Sequence, residues 1–257
     1  MSVSYELRDD IAVVWLDDPA RRNALSRAIV SGIFAALSRS RKDNARAIVL
    51  TGRGTAFCAG ANIDDLRDGW MEGREPDTDP TRLFQALSEE SRIVIAAVDG
   101  AALGGGFELT LACDLVLATA QAFFALPELG VGVIPNTAAA RLQRIVGSRV
   151  ALELILTRRR VASAEAEKLR LVNKLVDASA DVVSEAVALA TQIVSKAGPG
   201  AIAAAKCAHH AHGPTNWERV RATLLDVPRP EWQEGLDAFT EKRAPDFNRF
   251  WGAVNEG

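Results

Sequence analysis

Two glutamates stand in apolar stretches of the sequence, where their surroundings suit proton transfer. Glu108 follows three consecutive glycines, and Glu128 is the one acid in the run Ala-Leu-Pro-Glu-Leu-Gly-Val-Gly-Val-Ile-Pro at residues 125–135. Burial among apolar side chains disfavours the ionised form, so it raises a carboxyl pKa and suits a general acid. Taken singly, Glu108 is also compatible with a first-turn helix acid and Glu128 with an exposed loop acid.

Two segments of small residues predict backbone N–H groups that a ligand can approach closely. Residues 56–63 read Ala-Phe-Cys-Ala-Gly-Ala-Asn-Ile, and residues 99–108 read Asp-Gly-Ala-Ala-Leu-Gly-Gly-Gly-Phe-Glu. The second segment opens a predicted helix, whose first N–H groups are unpaired and suit a phosphate or a developing oxyanion. The sequence patterns of phosphate-binding loops are absent. A tight turn and close packing of a helix on a strand are the structural alternatives.

Two backbone donor sites and two carboxyls in apolar surroundings are together what is needed to stabilise an enolate and move protons beside it. The three histidines offer little else, because all of them lie within residues 209–212. Neighbouring histidines on a helix do not converge as an i, i+4 pair does, so we expect no metal site. The run Arg158-Arg159-Arg160 is interpreted as a solvated turn, with a phosphate contact as the alternative.

The elements that must position these residues alternate between strands and helices. Strands are predicted at residues 5–8, 11–16, 46–51, 93–98 and 115–118, from short apolar runs bounded by turn residues. Helices are predicted behind an N-cap at Ser26 and at residues 107–112, 137–157 with a break near Gly147, 163–171, 181–196, 200–211, 216–225 and 231–243. This order indicates an α/β fold with a largely parallel sheet and a helical C-terminal third. Residues 68–80 are interpreted as a mobile loop near the site.

Length and composition indicate one large globular domain with at most a small appendage. The chain has 257 residues, of which 48% are hydrophobic and 25% charged, and its net charge is −3. Since there is no basic excess and no stretch near the ~18 apolar residues of a membrane span, we expect neither a nucleic-acid nor a membrane partner. No signal peptide is expected from the N-terminal sequence. Three widely spaced cysteines argue against a disulfide framework and favour a cytoplasmic location.

Almost the whole chain resembles the crotonase (enoyl-CoA hydratase/isomerase) superfamily. The resemblance rests on Pro-Ala-Arg-Arg-Asn-Ala-Leu-Ser at residues 19–26, Ala-Phe-Cys-Ala-Gly-Ala at 56–61, Gly-Ala-Ala-Leu-Gly-Gly-Gly-Phe-Glu-Leu at 100–109, and residues 238–247. It implies a crotonase-like α/β spiral of ββα units with a helical C-terminal region. The implied division is a crotonase core at residues 1–195 and a C-terminal helical oligomerisation region at residues 196–257.

The resemblance also implies roles for individual residues. The backbone N–H groups of Ala61 and Gly105 would form an oxyanion hole for a thioester carbonyl. Glu108 and Glu128 match the two catalytic glutamates of the hydratases. The remaining implied contacts with the coenzyme A ester come from Arg22, Ala24, Ala59, Ile63, Phe239 and Lys242, of which the last two match positions that reach a neighbouring subunit's coenzyme A.

The implied activity is hydration of a 2-trans-enoyl-CoA to a 3-hydroxyacyl-CoA by a homotrimer or homohexamer, without a metal or other cofactor. The alternatives are a double-bond isomerase, a hydratase of branched or carboxylated enoyl-CoA, and a non-catalytic acyl-CoA binder, which the paired glutamates disfavour. Residues 135–142, Pro-Asn-Thr-Ala-Ala-Ala-Arg-Leu, depart from the longer glycine-rich stretch usual in hydratases, which predicts a different acyl-chain preference. Asn62 also stands where many members have aspartate.

Overall fold

The computed structural model describes residues 2–70, 75–177, 179–197, 199–211 and 229–246, and within them ten strands form two sheets. The strands are β1 (Val3–Arg8), β2 (Ile11–Leu16), β3 (Ala47–Gly52), β4 (Ala56–Cys58), β5 (Ile93–Val98), β6 (Ala101–Leu103), β7 (Leu115–Thr119), β8 (Phe123–Ala125), β9 (Val161–Ala162) and β10 (Lys174–Val176). The larger sheet has the order β1-β2-β3-β5-β7-β10, and the smaller has the order β4-β6-β8-β9. Neighbouring strands run parallel except in the antiparallel pairs β1–β2 and β8–β9.

Helices surround these sheets. In the described residues they are α1 (Arg27–Lys42), α2 (Ile63–Arg67), α3 (Pro80–Glu89), α4 (Gly105–Ala112), α5 (Asn136–Val146), α6 (Ser148–Thr157), α7 (Ser163–Lys168), α8 (Val182–Val194), α9 (Pro199–Ala211) and α10 (Arg229–Glu241), with short 3-10 helices at Pro19–Arg21 and Glu128–Val131. Ser26 caps α1 as predicted, since its Oγ accepts from the Ile29 N–H at 3.2 Å. None of these described helices is long and apolar enough to cross a membrane.

The central strands are apolar on both faces because helices cover both faces of the larger sheet. Along β3, Ile48 and Leu50 belong to the core shared with α1 and α4, whereas Ala47 and Val49 pack on the face covered by α8. Side chains alternate between the faces of a strand, so a strand buried on both faces is a continuous apolar run. The predicted α/β fold with a largely parallel sheet is confirmed.

Several short elements were not predicted from the sequence. The three-residue strands β4, β6 and β8 build most of the smaller sheet, and α3 was missed altogether. The predicted helix at residues 163–171 was wrong at its end, because α7 stops at Lys168 and β10 follows. Strands this short carry no alternating pattern, and their pairing is decided by neighbours distant in sequence. The predicted helix at 216–225 lies outside the described residues, and the division after residue 195 stays a prediction.

Candidate active site

A cavity of about 380 Å³ contains both glutamates and both predicted backbone donors. The wall includes the segment after β4, the start of α4, the 3-10 helix Glu128–Val131 and the start of α5. Residues of α2, α3 and α10 and of several loops complete it. Most of the other lining side chains are apolar, among them Leu25, Leu66, Trp70, Phe84, Val131, Val133 and Ile134. The cavity thus suits an apolar chain with a few polar groups at defined places.

Ala61 and Gly105 bring backbone N–H groups to this cavity from two different elements. Ala61 forms a parallel bridge with Leu25, whose N–H donates to the Gly60 carbonyl (2.7 Å) and whose carbonyl accepts from the Asn62 N–H (2.6 Å). In such a bridge the Ala61 N–H points away from Leu25. Gly105 is the first residue of α4, where N–H groups have no intrahelical acceptor. A Cβ on Gly105 would lie 3.9 Å from the Ala61 nitrogen, so the two segments adjoin.

Close backbone packing brings these two segments together. A Cβ on Gly106 would collide with the carbonyl oxygen of Cys58, and one on Gly60 (φ 93) would lie 2.9 Å from the carbonyl oxygen of Leu103. Glycine is required at both positions because there the backbones are in direct contact. The predicted tight turn and the close packing of α4 on β4 are therefore both present, and they bring the segments that contain Ala61 and Gly105 together.

Glu108 lies in the first turn of α4, with only 5% of its surface exposed. Its Oε1 accepts a hydrogen bond of 2.8 Å from the Ala138 N–H at the start of α5. Burial raises the pKa of Glu108 to about 7, while hydrogen bonds from the backbone N–H groups of Thr137 and Ala138 oppose the rise. A carboxyl with a pKa raised in this way is suited to proton transfer near neutral pH.

Glu128 begins the 3-10 helix on the other side of the α4 N-terminus. Its Oε1 packs against Gly104, where an added Cβ would lie 2.8 Å from the oxygen, and its Oε2 is buried with no hydrogen-bond partner among the described residues. Burial and the negative charge of Glu108 raise the pKa of Glu128 well above its ordinary value. The backbone hydrogen bonds to Glu108 favour its ionised form, and the charge of Glu108 favours the protonated form of Glu128.

The cavity gathers most of the residues singled out in the sequence. Those that line it are Ala59, Ala61, Ile63, Gly105, Glu108, Glu128 and Phe239, whereas Arg22, Ala24 and Lys242 do not. Arg22 still adjoins the wall, because its carbonyl accepts a 3.0 Å hydrogen bond from the Ala59 N–H. Lys242 is exposed just beyond the end of α10. Phe239 lies on the cavity of its own chain, and its implied contact with a neighbouring subunit's coenzyme A stays a prediction.

Several residues of the wall were not assigned individually to the site from the sequence, although residues 68–80 were expected near it and a phosphate contact was an alternative for Arg158. Leu25, Trp70, Phe84, Asn136 and Arg158 all line the cavity. Trp70 was hidden in a polar stretch, although a tryptophan there indicates a buried position; its Nε1 donates to the Thr78 carbonyl at 2.8 Å. The other four belong to elements whose approach to the site depends on the folded chain.

The Asn62 departure has a structural explanation. Asn62 is the N-cap of α2, and its Oδ1 accepts a 3.1 Å hydrogen bond from the Asp65 N–H. Asparagine and aspartate are about equally good at this position. The substitution therefore keeps the start of α2, and with it the placement of Ile63 at the cavity.

In the described part of the chain, no group of three or more His, Cys, Asp or Glu side chains is placed to hold a metal ion. The side chains of His209 and His210, and all of His212, lie outside it. The expectation that the histidine cluster binds no metal therefore stays a prediction.

Comparisons with known proteins point to a single family. A model of the enoyl-CoA hydratase/isomerase family matches residues 6–249. Crotonyl-CoA hydratase of Syntrophomonas wolfei is 32% identical over 255 residues, covering 96% of this chain and 97% of that protein. Two solved structures are similar: a carnitinyl-CoA hydratase from Mycobacterium avium (TM-score 0.84, 32% identity, 96% and 98% of the two chains covered) and an enoyl-CoA hydratase/isomerase from Pseudoalteromonas atlantica (0.83, 30%, 96% and 100%).

The chain therefore has the crotonase fold. It belongs to the enoyl-CoA hydratase/isomerase family.

Proposed function

We propose that this protein is an enoyl-CoA hydratase, which adds water across the 2,3 double bond of a 2-trans-enoyl-CoA and releases a 3-hydroxyacyl-CoA. The observation that carries the proposal is one cavity in which two adjoining backbone amides accompany two carboxyls with raised pKa values. Paired amides of this kind stabilise a developing oxyanion, and each donor contributes about 3 kcal/mol in other enzymes. The names of the relatives support the same chemistry.

The proposed reaction uses the two carboxyls in different protonation states. The thioester oxygen lies between the Ala61 and Gly105 amides and gains negative charge as water attacks C3. Ionised Glu108 holds the water and takes its proton, and protonated Glu128 gives a proton to C2 as the enolate collapses. The net change in the substrate is the addition of a hydroxyl group to C3 and a hydrogen atom to C2. Proton return from Glu108 to Glu128 restores the starting state.

This reaction is redox-neutral, and the amides and carboxyls supply each step, so the proposal includes no metal or other cofactor. Coenzyme A enters as part of the substrate. The resemblance assigns its contacts to Arg22, Ala24, Ala59 and Ile63, and the hydrogen bond from Ala59 to Arg22 supports that assignment by joining the first of these residues to the cavity wall.

Ultraviolet absorbance of the conjugated enoyl thioester tests the proposal. We expect the absorbance to fall when trans-2-hexenoyl-CoA is added, and mass spectrometry to show a product heavier by one water. An isomerase would also remove conjugation, but its product would keep the mass of the substrate. Tight binding with no change in either measurement would identify a non-catalytic binder and contradict the proposal.

Two further expectations concern the oligomeric state and the cellular location of the protein. The resemblance implies a homotrimer or homohexamer, and the cysteine pattern favours a cytoplasmic location. Both stay predictions, and the first has a direct test in the mass of the purified protein.

A further inference from the structure

One cation of the cavity wall has no role in the proposed reaction. Arg158 follows α6 in the left-handed conformation (φ 57), and it lines the same cavity as the two glutamates. Its Nη1 occupies the space that a Cβ on Gly130 would need. Because Gly130 has no side chain, the guanidinium lies directly against the backbone of the 3-10 helix.

The two neighbouring arginines are engaged elsewhere. Arg159 pairs with Glu153 (2.6 Å) and with Glu165 (2.7 Å), and the Arg160 guanidinium lies 4.6 Å from the centre of the Phe123 ring. No side-chain hydrogen bond, ion pair or ring contact of Arg158 occurs within the described ranges. Arg158 is exposed, as the interpretation of the triplet as a solvated turn implies, and among the described residues it is a cation without a counter-charge at the cavity.

Arg158 is also separate from the carboxyl pair. The pKa of Glu108 is governed by burial and backbone hydrogen bonds, and that of Glu128 by burial and Glu108, with no contribution from Arg158. An arginine close enough to pair with either carboxyl would lower its pKa. The guanidinium is thus available to a charge that the ligand itself brings.

Along the wall, other groups stand between the implied coenzyme A end and Arg158. Ala59 marks the implied coenzyme A end of the cavity. The predicted oxyanion-hole amides of Ala61 and Gly105 come next along the wall. Gly104, beside them, touches Glu128, and the 3-10 helix leads from Glu128 to Gly130, against which Arg158 lies. A substrate with its thioester oxygen at the amides and its reacting carbons at the glutamates would extend its acyl chain toward Arg158.

We infer that Arg158 selects enoyl-CoA substrates whose acyl chain ends in a carboxylate. This inference rests on the proposed function for the direction in which the substrate lies. A planar guanidinium binds a carboxylate with two parallel hydrogen bonds, and the apolar wall, including Val131 and Phe239, accommodates the methylene groups between.

Matched substrates test the inference. Trans-2-hexenoyl-CoA and trans-2-hexenedioyl-CoA have equal chain length and differ in a terminal methyl or carboxylate. We expect kcat/KM to favour the carboxylated substrate by about tenfold, and Arg158→Gln to remove most of this preference. Added salt should weaken the preference, because the ion pair lies at an accessible site.

Two further variants distinguish a loss of substrate preference from a loss of the folded structure. Arg158→Gly suits the left-handed backbone, so it should keep the melting temperature while losing the preference. Arg160→Gln alters a neighbouring arginine outside the cavity lining and should keep the preference. An equal loss on both substrates in Arg158→Gln would assign the arginine to coenzyme A phosphates and overturn the inference.

Binding measurements test the inference even if the protein does not hydrate enoyl-CoA esters. Calorimetry with the saturated esters hexanoyl-CoA and adipoyl-CoA compares the same two chain ends without turnover. Tighter binding of adipoyl-CoA that depends on Arg158 would support the inference even for a protein that does not hydrate. Hydration of hexenoyl-CoA with equal affinity for the two saturated esters would overturn the inference and leave the proposed function standing.

Discussion

At the scale of single residues, the surroundings of Glu108 and Glu128 make two identical side chains chemically different. Glu108 receives hydrogen bonds from the first N–H groups of α5, whereas Glu128 has an unpartnered buried oxygen and feels the charge of Glu108. Hydrogen bonds from N–H groups favour the ionised form, and burial disfavours it. These surroundings support the proposed roles of Glu108 as the base and Glu128 as the acid.

Replacing the acid should abolish most turnover. Glu128→Gln keeps the size of the side chain but cannot supply a proton, so we expect kcat on trans-2-hexenoyl-CoA to fall at least ~100-fold. Circular dichroism would verify the fold, and Glu89→Gln, in a residue outside the cavity lining, serves as the control. Near wild-type hydration by Glu128→Gln would remove this residue from the mechanism.

The rate should have a bell-shaped dependence on pH. Activity is expected to rise as Glu108 ionises, with its pKa raised by burial to about 7, and to fall at higher pH as Glu128 loses its proton. The two apparent pKa values belong to the coupled pair. Measurement of kcat/KM across the pH range tests this, and a rate that keeps rising above the alkaline limb would contradict an acid role for Glu128.

The buried carboxyl of Glu108 should also lower the stability of the folded protein at high pH. The raised pKa of Glu108 contributes stability that is fully present below its ordinary value of 4.5 and is lost as pH rises through about 7. We therefore expect Glu108→Gln to have a higher melting temperature than wild type at alkaline pH and little advantage in acid. Thermal melts at both extremes measure the effect, and a variant advantage confined to acid pH would show that the sign is wrong.

At the scale of elements, α10 joins the site through close contact with the 3-10 helix Glu128–Val131. Gly235 lies so near Val131 that an added Cβ would overlap its carbonyl group, and the Arg67 side chain ties α2 to the Leu236 carbonyl at 2.9 Å. Phe239, one turn beyond Gly235, thereby reaches the cavity. Helix α10 is in this way part of the cavity wall.

A substituted glycine in this contact should loosen the wall. Gly235→Ala forces α10 away from Val131, so we expect a loss of about 1–3 kcal/mol in the free energy of unfolding and a higher KM. Gly200→Ala is the matched control, because nothing lies within 4 Å of its added Cβ. Urea denaturation measures both variants, and equal stabilities would contradict tight packing at Gly235.

At the scale of the whole molecule, apolar side chains remain on the surface of the single chain. Leu152 and Leu156, four residues apart on α6, are 54% and 58% exposed, and Phe239 on α10 is 60% exposed. Single exposed apolar residues are ordinary, but a pair on one helix face suits burial against another chain. This surface is compatible with the predicted homotrimer or homohexamer.

The predicted assembly has a direct test. Light scattering on the purified protein should give the mass of a trimer or of a hexamer, unchanged on moderate dilution. A mass equal to one chain would contradict the prediction, and Phe239 would then be left exposed on a monomer.

Local features of the fold could be predicted from the sequence because neighbouring residues decide them. The β1–β2 turn at Asp9 and Asp10, which have φ values of 47° and 65°, the cap at Ser26 and the apolar run of β5 depend on side chains a few positions apart. The glycines before Glu108 likewise predicted a helix N-terminus, whose free N–H groups suit a negatively charged ligand atom. The alternation of such strands and helices predicted the α/β class, and the apolar neighbours of Glu108 and Glu128 in the sequence singled out the two carboxyls.

Contacts between distant segments were decided by the tertiary structure alone. The hydrogen bond from Ala138 to Glu108, the packing of Gly235 on Val131 and the approach of Arg158 to Gly130 join residues far apart in sequence. No local propensity specifies such pairs, because each depends on how whole elements pack to exclude water and avoid voids. The sequence therefore determined which groups could perform the chemistry, and packing of the folded chain decided which of them share a cavity and how strongly each holds its proton.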